Sequence, residues 1–273
     1  MTAPHFSLRS FHNQVPGCTS QIYGTAVNEQ GLTSYQSMAR LTRPGDRILD
    51  FGCGDGTLLE ALMSSGHRPE SLVGADFSRG ELACARVRLD SSDIALCLAD
   101  GQRLPFRDAS FDIVCAHLVL MLLPKIDTCL NELARVLKPG GRLVAMLGGG
   151  PSMNGQPNLF EIYLDCLSKQ PCLQASPPLR INNRAFSQTQ RTRDLFDQHP
   201  DFDNLVLADA TYATSLDPEA AWRLSAYHYE HVHLSPEGSQ EAKAMYLEMV
   251  ERHGPNCTRY AFALRLLTAT KRP

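Results

Sequence analysis

The chain has 273 residues, of which 43% are hydrophobic and 20% charged, and a formal net charge of -3. Those fractions set aside disorder, collagen and coiled coil, and leave one sizeable α/β domain with an insertion, or two small domains. With no dense Lys/Arg run, the chain lacks the footprint that most nucleic-acid binders need to neutralise phosphates, so no nucleic-acid partner is expected.

Nine cysteines are scattered along the chain, no pair stands at C-x-x-C spacing, and the odd count argues against a disulfide framework. No metal site is expected, and Cys97 and Cys115, inside apolar runs, read as small hydrophobes suited to a reducing compartment. The first twenty residues lack a basic start followed by an apolar run, and no stretch approaches the roughly 20 apolar residues of a membrane span. The expectation is a soluble, cytoplasmic protein with no membrane partner; its oligomeric state is not written in the sequence.

In chain order, Asp46 to Phe51 reads as a buried strand and Thr57 to Met63 as the opening of a helix. Ser71 to Asp76 is a second strand, followed by a helix over Arg79 to Leu89. Ile94 to Leu98 and Phe111 to Ala116 are the third and fourth strands. Ile126, Leu130, Leu133, Ala134 and Leu137 have the spacing of an amphipathic helix, which Lys138-Pro139-Gly140-Gly141 stops before a fifth strand over Arg142 to Leu147. Strands separated by helices of this length make right-handed β-α-β units and a parallel sheet with helices on both faces.

From Gly148 to Ser187 the composition turns to proline, Asn and Gln, an excursion from the sheet with a short helix at Leu159 to Leu167. A helix at Thr189 to His199, a strand at Asn204 to Thr211, helices at Pro218 to Tyr229 and Pro236 to Arg252, and a last strand at Tyr260 to Thr270 complete the pattern. Asp217 and Ser235 are placed to cap the two proline-led helices, which form a cap. The expected organisation is an N-terminal lid segment (1–44), a cofactor-binding core (45–150), an insertion and helix (151–203), and last strands with a helical cap (204–273).

The strongest local feature is Asp50-Phe51-Gly52-Cys53-Gly54-Asp55-Gly56-Thr57. Its glycines let the backbone turn sharply from strand to helix and approach a ligand. A dinucleotide fingerprint places its third glycine where this chain has Thr57, and Asp50 repels a pyrophosphate, so a nicotinamide-dependent oxidoreductase is disfavoured. Asp50, Asp76 and Asp100 fall at three consecutive strand ends, where they suit a ligand amine, ribose hydroxyls and the exocyclic amine of an adenine. Together they match an adenosine bearing an amino-acid arm.

At these residues the chain resembles the class I S-adenosylmethionine-dependent methyltransferases, specifically the UbiE-like small-molecule group. The resemblance rests on residues 49–56, on Gly74-Ala75-Asp76-Phe77-Ser78, on Ala99 to Phe106, on Ser110 to Val114 and on Arg135 to Gly141. It implies a Rossmann-like, seven-stranded, mostly parallel sheet with a small cap, whose antiparallel seventh strand is the run Phe262 to Thr270. It also implies S-adenosyl-L-methionine as cofactor and methyl transfer to O, N or C of a small molecule, with a natural-product intermediate as the candidate acceptor. The glycine turn (Gly52, Cys53, Gly54) then contacts the methionine arm, Asp76 the ribose, and Asp100 and Gly101 the adenine, on which Phe77 packs, with Gln102 a further cofactor contact.

His117, after the fourth strand, is a candidate contact to cofactor and substrate, or else a satisfied histidine at a strand end. Tyr23 lies in a segment, Gln21 to Met38, that in this family often forms a lid helix; its ring either meets the sulfonium by a cation–π contact or packs the lid. A general base depends on the acceptor, and in the cluster Tyr227 to His233 the catalytic choice is His231 over a plain surface or helix-end role, with Tyr227 and His231 also candidate substrate contacts. Asp112 reads as structural, and Cys53 needs no reactivity. The competing functions are a tRNA or protein methyltransferase and a non-catalytic cofactor-binding partner protein.

Overall fold

The computed structural model describes residues 7–66, 69–90, 94–148, 158–175, 184–186, 188–254 and 257–273. Three short helices come first: α1 (Leu8–Gln14), α2 (Cys18–Tyr23) and α3 (Ser34–Ala39). There follow β1 (Arg47–Phe51), α4 (Thr57–Ser64), β2 (Ser71–Asp76), α5 (Arg79–Arg88), β3 (Ala95–Leu98), β4 (Phe111–His117), α6 (Ile126–Val136) and β5 (Leu137–Gly148). The second half holds α7 (Leu159–Ser168), α8 (Pro171–Ala175), α9 (Thr189–Asp197), β6 (Phe202–Ser215), α10 (Pro218–Ser225), α11 (Pro236–Arg252) and β7 (Arg259–Lys271). Much of the proline-rich excursion read between Gly148 and Ser187, including Pro151, Pro157, Pro177 and Pro178, lies outside the described residues.

All seven strands join one sheet in the order β3-β2-β1-β4-β5-β7-β6. β1 to β5 pair in parallel, while β7 runs antiparallel to both β5 and β6. The α/β class and the antiparallel strand near the C-terminus are as the sequence led us to expect. Because β2 and β3 lie on one side of β1 and β4 on the other, the chain reverses its winding between β1 and β4, and a crevice opens beyond the carboxyl ends of those strands.

Alternation along the strands feeds two cores, one on each face of the sheet. Ile113 and Cys115 of β4 join Val144, Met146 and buried residues of α4, α7, α10 and α11. Val114 and Ala116 join Leu143, Ala145, and the apolar stripes of α6 and α9. Burial on both faces is why β1, β4 and β5 read as continuous apolar runs rather than alternating ones.

Two elements differ from expectation for physical reasons. β5 begins at Leu137 rather than Arg142, because Lys138-Pro139-Gly140-Gly141 is taken into the strand as an irregularity: Leu137 pairs with Phe111, the register shifts, and Arg142 pairs with Ile113. Gly140, at φ 73, supplies the backbone freedom. The N-terminal segment is three short helices rather than one lid helix over Gln21 to Met38, interrupted by a turn in which Gly31 takes φ 71. α3 then starts afresh on a capping box between Thr33 and Gln36. The caps at Asp217 and Ser235 form, accepting from Ala220 and Gly238 N–H groups at 2.8 and 3.0 Å, although α10 ends at Ser225, four residues before Tyr229.

Candidate active site

β1 leaves the sheet into a turn whose three glycines, Gly52, Gly54 and Gly56, all have positive φ, at 73, 52 and 84°. A side chain on Gly52 would place its Cβ 2.7 Å from Val119 Cγ2, so the turn is folded tightly under the loop that follows β4. The N–H groups of Gly52 and Cys53 donate to Ala75 O, at 2.8 and 3.0 Å. Gly54 N–H donates to Asp76 Oδ2 at 2.9 Å, and Ser78 N–H to Asp76 Oδ1 at 2.8 Å. Each Asp76 oxygen thus holds one backbone donor and keeps acceptor capacity for another. Burial raises the Asp76 pKa, and those two N–H groups act against the rise.

Asp50 is fully buried beside Gly74 and Cys115 of the flanking strands. Neither of its carboxylate oxygens has a hydrogen-bond partner among the described residues. Burial first, then the charges of Asp76 and Asp55, push its pKa well above the usual carboxylate range. An uncompensated buried charge costs several kcal/mol, so the fold holds in reserve an affinity for a cation at this point.

These groups share one cavity of about 440 Å³. Of the residues singled out in the sequence, Asp50, Gly52, Cys53, Gly54, Asp76, Phe77, Asp100, Gly101, Gln102 and His117 all line it. Asp100 Oδ1 accepts the Gln102 N–H at 2.9 Å, and Gly101 sits so close to Phe51 that a Cβ there would lie 2.6 Å from the ring. His117, at the tip of β4, is stacked on Tyr35 with ring centroids 3.9 Å apart, and burial pushes its pKa down to about 3.

Tyr23, Tyr227 and His231 are not among the lining residues. The Tyr23 ring packs on Phe262 at 4.5 Å, where burial raises its hydroxyl far above the ordinary range. His231 is held inside the cap, its Nδ1 3.1 Å from the Tyr163 hydroxyl and its Nε2 3.1 Å from Ser239 Oγ. Tyr227 follows α10 and is 38% exposed. Packing on Phe262 and Tyr163, not the cavity, claims Tyr23 and His231.

Several lining residues carry no motif in the sequence: Arg9 and His12 of α1, Ser20 of α2, Tyr35 of α3, and Glu81; Asp55 lies in the glycine motif, which by itself gives it no role. Arg9 lies over the Phe77 ring at 5.5 Å. Ser20 Oγ donates to Asp55 Oδ2 at 2.6 Å. Glu81, which reads as an ordinary acidic residue in a helix's first turn, reaches His12 instead; with Cys18 they form a buried group whose metal-type donor atoms lie within 4.8 Å of one another. Pairing over such sequence distances leaves no local signal.

The segment 49–145 matches the family model described as a methyltransferase domain. A demethylmenaquinone methyltransferase from Corynebacterium urealyticum is 38% identical over 121 residues, 44% of this chain and 50% of that protein. One from Clavibacter sepedonicus is 46% identical over 125 residues, 45% of this chain and 50% of that protein. The chain therefore spans about half the length of the curated relatives it matches. Among solved structures, phosphoethanolamine N-methyltransferase 2 of Haemonchus contortus, in complex with S-adenosyl-L-methionine, superposes with a TM-score of 0.59 at 16% identity, covering 99% of this chain and 61% of that one.

Over residues 49–145 the chain is therefore similar to a methyltransferase domain, and the strand order and glycine turn accord with that match. The curated relatives similar to that segment are demethylmenaquinone methyltransferases, in keeping with the UbiE-like resemblance of its motifs. The residues present fit the cofactor of this class: an unpartnered buried carboxylate at Asp50 suits an ammonium, and Asp76 retains acceptor sites for hydroxyls.

Proposed function

We propose that this chain transfers the methyl group of S-adenosyl-L-methionine to a small-molecule acceptor. The observation that carries the reading is Asp50, a buried carboxylate without a partner in the same cavity as Asp76 and Asp100. On this reading Asp50 takes the ammonium of the amino-acid arm, Asp76 the ribose hydroxyls, and Asp100, Gly101 and Gln102 border the adenine, with Phe77 against its face. When bound, the cofactor supplies an activated methyl group whose leaving group is a neutral thioether. What remains for the protein is to orient the acceptor and exclude water, and such positioning supplies up to roughly 7 to 11 kcal/mol.

The acceptor side is read as the N-terminal segment (1–44) with the helical cap of 204–273, and the described part of the insertion 151–203 packs with that cap through α7. Leu118, Val119, Leu122 and Leu123 give the cavity an apolar wall suited to a ring or chain. The relatives' names make demethylmenaquinone the first defined acceptor to test, and the sequence beyond the matched segment leaves room for a natural-product intermediate instead. Mass spectrometry of cell extract incubated with the protein and deuterated-methyl cofactor should give a new small-molecule ion heavier by one labelled methyl. Label appearing in tRNA or protein instead would reassign the substrate, and label in no fraction would leave a cofactor-binding partner protein.

A further inference from the structure

The imidazole at the tip of β4 has half of its hydrogen bonding complete. His117 is 7% exposed and lines the cavity. Its Nε2 lies 2.8 Å from Ser34 Oγ, and its Nδ1 is buried with no partner among the described residues. Ser34 is 1% exposed, and among the described residues Nε2 is the partner its hydroxyl has.

Two neutral tautomers are open to such a ring. With the proton on Nε2, the ring donates to Ser34 Oγ, and both the serine O–H and the Nδ1 lone pair are buried unpaired. With the proton on Nδ1, Ser34 donates to Nε2, and a single group, the Nδ1–H, is left over. Buried polar groups pair, so the second arrangement is favoured and its remaining donor calls for an acceptor.

The surroundings hold this geometry in place. Tyr35 lies nearly parallel to the imidazole, at an interplanar angle of 20°. The next residue, Leu118, is kept in the left-handed region at φ 55 while its N–H donates to Met146 O at 2.8 Å. A bulky residue in that conformation is strained, and strain of this kind persists where the surrounding structure over-determines it. Burial keeps the ring neutral against the opposing charge of Asp55, and its low basicity makes it a poor acceptor of an acceptor's proton near neutral pH.

We propose that Ser34 fixes His117 as the Nδ1–H tautomer, so that the tip of β4 gives a hydrogen bond to an oxygen of the bound ligand rather than taking a proton from it. This rests on the reading of the cavity as the methyl-transfer site. The oxygen belongs either to the carboxylate of the cofactor's amino-acid arm or to a carbonyl or ionised hydroxyl of the methyl acceptor. Ser34 is thus a positioning residue, and the acceptor's nucleophile is one that needs no proton removed by His117: an ionised oxygen, a carbon or a neutral amine.

The test is a long-range proton–nitrogen correlation spectrum of the full chain labelled with ¹⁵N-histidine, with the His117 signals identified by their loss in His117→Asn. The free protein should show a protonated Nδ1 and an unprotonated Nε2. Ser34→Ala should lose that pattern to a tautomer mixture, and Ser34→Thr, which keeps the hydroxyl, should retain it. A protonated Nε2 in the wild type, or an unchanged spectrum in Ser34→Ala, overturns the proposal.

Ligand arms then locate the oxygen. A shift of Nδ1 with S-adenosylhomocysteine but not with 5′-methylthioadenosine, which lacks the amino-acid arm, assigns it to the cofactor carboxylate. A shift that waits for 1,4-naphthalenediol added to the S-adenosylhomocysteine complex assigns it to the acceptor, and no shift with any of them overturns the donor role. Should S-adenosylhomocysteine fail to bind, the cavity reading falls, whereas the tautomer is decided in the free protein.

Discussion

His12 Nδ1 lies 2.7 Å from Glu81 Oε1, joining residues 69 apart in sequence and tying α1 to α5 at the wall of the cavity. Glu81 Oε2 accepts the Gly17 N–H at 2.8 Å, and His12 Nε2 lies 3.0 Å from the Tyr229 hydroxyl. One buried pair therefore links the N-terminal helices, the core and the segment leading into the cap. Burial alone would lower the His12 pKa, but the Cys18 thiol and the Glu81 carboxylate outweigh it and raise it to about 10.

A histidine raised on folding contributes stability that is complete below its unfolded pKa of about 6.5 and is lost as pH rises through the folded value. Glu81→Gln should therefore cost roughly 3–5 kcal/mol at pH 6, the scale for breaking one partner of a buried pair. The gap between wild type and variant in urea unfolding should close as pH approaches 10. A gap independent of pH would show that the pair does not carry charge.

Asp50→Asn removes the unpartnered carboxylate. The cofactor-free protein should be no less stable than wild type at pH 7, while S-adenosylhomocysteine affinity falls by roughly 10–100-fold, the scale of one charge-assisted hydrogen bond. Because folding raises this carboxyl's pKa, the folded state takes up a proton, and stability falls as pH climbs from the usual carboxylate range through the raised value. An arriving ammonium should expel that proton. Calorimetric titrations at mildly acid pH, in buffers of different ionisation enthalpy, should register proton release for wild type and none for Asp50→Asn; equal release would place the proton elsewhere.

Gly80 marks where α1 rests on α5. A Cβ there would lie 2.8 Å from Asn13 O and 2.9 Å from Asn13 Cα, both backbone atoms. Gly80→Ala should cost roughly 1–3 kcal/mol by overpacking and speed S-adenosylhomocysteine dissociation as α1 is displaced. Unchanged stability and unchanged release in stopped-flow measurements would mean that α1 does not help to close the cavity.

Asp112 serves as the control on the opposite rim of the sheet. Its two oxygens lie 2.8 and 2.9 Å from Lys138 Nζ, and Oδ2 also accepts the Arg47 N–H at 3.0 Å. Burial pushes its pKa up, but Lys138 and Arg47 more than reverse this, so its contribution to stability is present above the usual carboxylate range and lost as pH falls. Asp112→Asn should cost roughly 1 kcal/mol, as befits a partly exposed pair, and leave S-adenosylhomocysteine affinity unchanged. A tenfold loss of affinity would contradict that separation of roles.

The elements on which the cavity rests were legible because local pattern and burial agree there. β1, β2 and β4 are short apolar runs closed by turn residues, and the glycines after Asp50 announce a bend that no other residue makes as readily. What escaped was set by contacts distant in sequence. Nothing near His12 announces Glu81, and Ser34 and Tyr35 sit in a six-residue helix whose partner, His117, lies 83 residues from Ser34. Tyr23 and His231 carry suitable chemistry, but they pack on the aromatic rings of Phe262 and Tyr163 rather than lining the cavity. A motif reports the segment it lies in; an N-terminal segment built from several short helices is specified by what each of them touches.

Calorimetric titration of S-adenosylhomocysteine into the wild type and into Asp76→Ala most directly tests whether the tips of β1, β2 and β3 form a cofactor site. Saturable one-to-one binding by the wild type, abolished in Asp76→Ala and preserved in Asp112→Asn, is the result expected. No binding by a folded wild type, or equal affinity in Asp76→Ala, would contradict it.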